Sequence, residues 1–240
     1  MPALDPVAAV YLLLVGIFFP VVCIRSSVRV ARGKPFAPFR VIHGSTLIVL
    51  GSLALFAVIV ARRVGMPLFP RPRFDLTLTL LAGAGVAALL IVGAIRWRFR
   101  LPESRARLVA MLPRAPGDYV WWAAVSVMAG VGEEVIYRGV LYGTLEYLTG
   151  SWLAAAILAA IVFGACHALQ GWGAAVVTFV IALLQQWLVF RAGDLYLAMA
   201  AHFTYDMAAG FMYSSLARRA GLFTVPGLSG PPARASPPGL

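Results

Sequence analysis

Residues 119–148 read YVWWAAVSVMAGVGEEVIYRGVLYGTLEYL. The run is long enough to cross a bilayer, which takes about 20 mostly apolar residues. It nevertheless carries Glu133, Glu134 and Arg138 near its middle and Glu146 toward its end. Ionisable groups at membrane depth are expensive and default to functional candidates, so other helices must cover them. Working outward, six further apolar runs meet the same length rule: 7–24, 41–61, 76–95, 151–169, 173–190 and 195–217. The expected fold class is all-α, a polytopic transmembrane helical bundle of about seven spans with its chemistry in spans four to seven.

Composition supports this reading. Apolar and aromatic residues make up 61% of the 240-residue chain, charged residues only 12%, and mean hydropathy is +0.88. Soluble domains carry about 25% charged residues, and disordered chains are poor in apolar ones. Both classes are excluded. The net charge of +11 would suggest nucleic acid in a soluble protein. Here the basic residues sit in short loops, so the expected partner is the lipid bilayer and not nucleic acid. Fourteen of them fall on one side (loops 25–40 and 96–114 and the C-terminal tail) and five on the other. The richer side is expected to be cytoplasmic, which puts the N-terminus outside and the C-terminus inside. The first run is expected to stay attached, since MPALD before it has no positive charge and no small-residue cleavage site follows. Residues 96–116 read as a basic interfacial stretch, and the Pro/Gly-rich tail within 218–240 as disordered. Cys23 and Cys166 are far apart and give neither a disulfide framework nor a metal knuckle.

The polar residues inside the spans cluster between 133 and 206, leaving the region 1–118 chemically bare. Glu134 and Arg138 are i,i+4 and can pair on one helix face. Glu133 lies about 100° around the helix with no local cation, and such a carboxylate suits a general base. Phe163 and His167 are also i,i+4, in FGACH; alone, this histidine fits a core or interfacial residue equally. His202 and Asp206, in HFTYD, share a face, where a carboxylate can fix an imidazole's tautomer or simply pack with it. Glu133 and His167 each lie about 23 Å along a helix from the turn at 148–151, at about 1.5 Å per residue, so antiparallel neighbours can bring them together. His202 fits less well: it lies about 10 Å from the start of its span and needs a tilted or deeply entering helix. His43 and Glu146 read as interfacial, and Trp121, Trp122, Trp152, Trp172 and Trp187 mostly as aromatic-belt anchors. Gly139 and Gly143 have GxxxG spacing, read as close helix packing.

EEVIYR (133–138), FGACH (163–167) and HFTYD (202–206) resemble the EExxxR, FxxxH and Hxxx(N/D) motifs of one family. It is the CAAX prenyl protease 2 and bacteriocin-processing family (CPBP, or Abi) of glutamic-type intramembrane endopeptidases. The order and spacing agree over roughly residues 119–215. The resemblance implies a CPBP-like catalytic core at 119–217, preceded by the N-terminal helices of 1–118, in a bacterial plasma membrane. It implies that Glu133 and His167 activate a water, that Glu134 and Arg138 shape and neutralise the site, and that His202 with Asp206 stabilises the oxyanion. Many relatives have Asn at the position of Asp206. An ionised Asp cannot donate a hydrogen bond, so Asp206 is either protonated or orients His202. No cofactor is expected. Zinc is the alternative, with Glu133, His167, His202 and Asp206 as ligands, although the chain has no HExxH. The expected substrate is a membrane-proximal protein or peptide, and the motifs do not specify a prenylated one. Removal of C-terminal sorting tags and peptide maturation both fit. A transporter or proton relay and a non-catalytic immunity scaffold are the competing functions.

Overall fold

The computed structural model describes residues 4–34 and 36–223, and every regular element among them is helical. Helix α1 is Pro6–Ala31, α2 Phe39–Val64 and α3 Leu76–Phe99. The short α4, Pro102–Met111, follows. The run quoted above is one continuous helical path in three pieces: α5 (Asp118–Met128), a π-helical segment (Ala129–Leu141) and α6 (Tyr142–Thr149). Helix α7 (Trp152–Cys166), a 3-10 turn (Ala168–Gln170), α8 (Trp172–Ala192) and α9 (Tyr196–Arg219) complete the order. The all-helical membrane architecture is as expected. By length and hydropathy, however, four helices qualify as spans: α1, α2, α3 and α8. The count of seven is not reached by that measure, because α7 has only 15 residues and the remaining two segments carry the polar residues of the site.

Local sequence sets the boundaries. Asp5 caps α1 by accepting from the Val7 amide at 2.8 Å, and Arg63 at the end of α2 pairs with it at 2.9 Å. Asp75 caps α3 and Ser151 caps α7 in the same way. Gly150 adopts φ +64°, the left-handed conformation that lets α6 end and α7 fold straight back beside it. Residues 218 and 219 belong to α9, and residues 224–240, where most of the expected disordered tail falls, lie outside the described residues. The 96–116 stretch is more embedded than an interfacial segment. Val109 and Leu112 are fully buried against Trp97, Tyr213 and Ala217 of α3 and α9, and Ser214 Oγ donates to the Pro113 carbonyl at 3.0 Å.

The π-helical segment is the centre of the bundle. Residues 134–138 are consecutively buried, which a helix shows only when neighbours surround it. Val135, Ile136, Val140 and Leu141 pack with Tyr11 and Val15 of α1 and Ala57 and Val60 of α2. Tyr11 donates its hydroxyl to the Ile136 carbonyl at 2.8 Å. The glycines of the GxxxG pattern do not mediate helix-to-helix approach: Gly139 receives Leu68 and Gly143 receives Met66, both from the connection after α2. The close approach occurs instead at Gly130, where a Cβ would lie 2.8 Å from Phe203 Cβ and 2.9 Å from the Phe203 nitrogen. That contact brings α9 against the π-helical segment one residue beyond His202. It answers the depth problem posed by the sequence.

Replacing Gly130 with Ala should therefore force α9 outward. Overpacking of this kind costs about 1–3 kcal/mol, expected as a lower melting temperature in detergent. An unchanged melt would show that α9 is not seated as described.

Candidate active site

The π-helical segment, α7 and α9 supply the polar residues. In an i→i+5 helix the turn is wider than in an α-helix, and such segments recur at functional sites. Here the widening accompanies a convergence that α-helical spacing did not predict: the adjacent Glu133 and Glu134 both face one imidazole, that of His202. Glu134 Oε1 is 2.8 Å from His202 Nδ1 and Glu133 Oε2 is 3.8 Å from Nε2. Asp206 Oδ2, one turn along α9, is 3.6 Å from the same Nε2. Glu134 is the orienting carboxylate at Nδ1, and Asp206 stands at the other nitrogen.

Behind this imidazole lies the ion pair read from the sequence. Arg138 Nη1 is 3.3 Å from Glu134 Oε1, with the two side chains 3% and 0% exposed. Among the described residues, Glu134 Oε2 and both terminal nitrogens of Arg138 have no hydrogen-bond partner. Part of the compensation comes from Phe163, whose ring centroid is 4.1 Å from the Arg138 guanidinium, a cation–π contact strengthened by desolvation. The same ring stands edge-on to Tyr137 at 4.9 Å and against His167 at 4.6 Å. Phe163, quoted in the sequence only as part of a motif, is thus the apolar hub of the site. Its residue type alone carried no sign of this.

His167 sits just past the last residue of α7. Its Nδ1 is 2.9 Å from the Phe163 carbonyl. A carbonyl only accepts, so Nδ1 carries the proton and Nε2 is left with a free lone pair. Glu133, His167, His202 and Asp206 all line one cavity of about 760 Å³, whereas Glu134 is sealed behind it. Glu133 and His167 make no direct hydrogen bond. The cavity extends to His43, Arg96 and Arg100 on the arginine-rich side. His43 is buried, bonded to the Phe39 carbonyl at 2.8 Å and stacked on the Phe39 ring at 3.9 Å, so it is a wall of the cavity and not an interfacial residue. Trp122 likewise leaves the aromatic belt: it lies on Gly210 and donates to the Asp206 carbonyl at 3.0 Å. Tyr142, one residue past the π-helical segment, donates to Glu146 at 3.1 Å, away from this cluster.

Residues 115–208 match the family described as Rce1-like, type II CAAX prenyl endopeptidase Rce1-like. This segment is similar to that family. It contains all six polar residues of the cluster and ends two residues past Asp206. Helices α1 to α4 lie before the matched segment and complete the walls around it. The match points to protease activity of the CAAX type in an integral membrane protein. No curated protein and no solved structure matches the chain. As to zinc, among the described residues no group of three or more His, Cys, Asp or Glu is arranged to hold a metal ion.

The buried pair sets a stability prediction. Removing one partner of a buried ion pair costs about 3–5 kcal/mol, because the other charge is left uncompensated. Glu134→Ala should lower the melting temperature in detergent strongly, whereas Glu133→Gln, which leaves the pair intact, should melt close to wild type. Equal losses in the two variants would contradict the separation of Glu134 from Glu133.

Proposed function

We propose that the protein is an intramembrane endopeptidase that hydrolyses a peptide bond of a membrane-proximal protein or peptide by a metal-free glutamate mechanism. The observation that carries this reading is the convergence of Glu133, His167, His202 and Asp206 on one cavity, with Arg138 in its wall and Glu134 buried behind. A water held between the Glu133 carboxylate and the free Nε2 of His167 attacks the substrate carbonyl. Glu133 takes the water's proton as general base. His202, held through Nδ1 by Glu134, presents an Nε2–H to the tetrahedral oxyanion, the preorganised donor that acyl transfer requires. Asp206 positions that end of the ring. The intermediate collapses as Glu133 returns the proton to the leaving amine, so the carboxylate is regenerated.

The surroundings of the cavity constrain the substrate. Its walls are largely apolar, and its outer end reaches the arginines that close α3. The cavity therefore faces the side richer in basic loops, which the reading places in the cytoplasm, with the N-terminus outside. A segment entering from there would present a peptide bond near the headgroup level. Trimming of a sorting tag and maturation of a peptide both suit that entry.

The test compares protein termini by mass spectrometry in strains carrying the wild-type protein, no protein, or Glu133→Gln at matched membrane abundance. Uncut precursors should appear in both the deletion and the variant. With a precursor in hand, the purified Glu133→Gln variant should be about 10²–10⁴-fold slower, the usual contribution of a general base. A chelator should leave the wild-type rate unchanged. A fully active Glu133→Gln variant would overturn the catalytic assignment, and loss of activity on chelation, restored by zinc, would overturn the metal-free mechanism.

A further inference from the structure

Cys23 and Cys166 are the two cysteines of the chain, and 142 residues separate them in sequence. The fold brings them together. Cys23 lies on α1 and Cys166 is the last residue of α7. Both thiols are free, and both line the cavity that holds Glu133. The two elements are tied nearby: Ser27, one turn after Cys23, donates to the Ala168 carbonyl at 2.7 Å. Tyr137, in the π-helical segment, donates to Cys166 Sγ at 3.4 Å. Nothing in the hydrolytic chemistry above uses either thiol.

We propose that Cys23 and Cys166 form a dithiol site that small disulfides oxidise to an interhelix disulfide, and that this closes the catalytic cavity to turnover. The thiolate of one cysteine attacks a sulfur of the small disulfide, forming a mixed disulfide and releasing one small thiol. The thiolate of the second cysteine then attacks the protein sulfur of that mixed disulfide and releases the other small thiol. Two protein thiols and one small disulfide thus become one protein disulfide and two small thiols. A disulfide holds its Cβ atoms about 3.5–4.5 Å apart in a fixed torsion. Imposing that geometry moves Cys166, whose neighbour in the chain is His167, and removes the thiol to which Tyr137 donates. A misplacement of about 1 Å at a catalytic group can cost about 10²-fold in rate. The effect on turnover rests on the peptidase reading, whereas formation of the disulfide does not.

The experiment treats the purified full-length protein in detergent with glutathione disulfide and counts free thiols by gel shift with a maleimide polymer. Wild type should go from two accessible thiols to none, with intact mass lower by two hydrogens, and dithiothreitol should reverse both. Cys23→Ala and Cys23→Ser should acquire only a glutathione adduct. In parallel, precursor cleavage by oxidised wild type should fall about tenfold to a hundredfold, while both Cys23 variants keep more of their reduced rate. Two thiols that stay free, or that yield only glutathione adducts or crosslinked dimers, would overturn the site. A clean disulfide with undiminished cleavage would overturn its control of turnover. If no cleavage is found in the reduced protein, the thiol count still decides the site on its own, and the failure belongs to the peptidase reading.

Discussion

A carboxylate with no solvent exposure, Glu134, is held between the Arg138 guanidinium and the His202 imidazole, and the rest of the bundle is arranged around that requirement. Burying a charge costs several kcal/mol even after relaxation. It is tolerated only where the partners are fixed and close. Arg138 comes from the same helical segment, so local spacing delivers it. His202 comes from 68 residues further along the chain and reaches Glu134 because Gly130 lets α9 approach to backbone contact. The Phe163 ring covers the guanidinium from a third element. Each of α7, α9 and the π-helical segment thereby has one polar obligation at the same point in space.

That arrangement leaves the other carboxylate at the cavity wall. Glu133 follows the same backbone but opens to the cavity, with a side chain 13% exposed against 0% for Glu134. Adjacent residues of one type are thus divided by burial alone into one sealed in the bundle and one open to the cavity. The imidazoles divide in the same way. His202 is bonded through Nδ1 to a carboxylate and His167 through Nδ1 to a carbonyl. Both rings are thereby fixed in orientation, and both line the cavity.

Much of this was legible in the sequence because the signals are local. Apolar length marks helices, and i,i+4 spacing marks Glu134 with Arg138 and His202 with Asp206. The lone charged residues in an apolar half mark the chemistry. Other features were not legible. A π-helical segment has no residue signature distinct from an α-helix, so the turning of Glu133 and Glu134 toward one ring could not be read from α-helical geometry. The GxxxG spacing drew attention to Gly139 and Gly143, while the contact that seats α9 is at Gly130. His43 and Trp122 looked like membrane-interface residues because their types favour that place. Their burial depends on which helices lie alongside.

The sequence by itself determined that the chain is a helical membrane protein and which polar residues its helices have to bury. Both follow from solvation: apolar length is matched to the bilayer, and a charge within it needs a reason. Only the tertiary structure decided the division of labour among those residues. Which carboxylate is sealed, what holds Nδ1 of His202, and that Cys23 and Cys166 line one cavity depend on contacts between elements far apart in the chain. Pairings of that kind are set by the packing of whole helices, and no local run of residues encodes them.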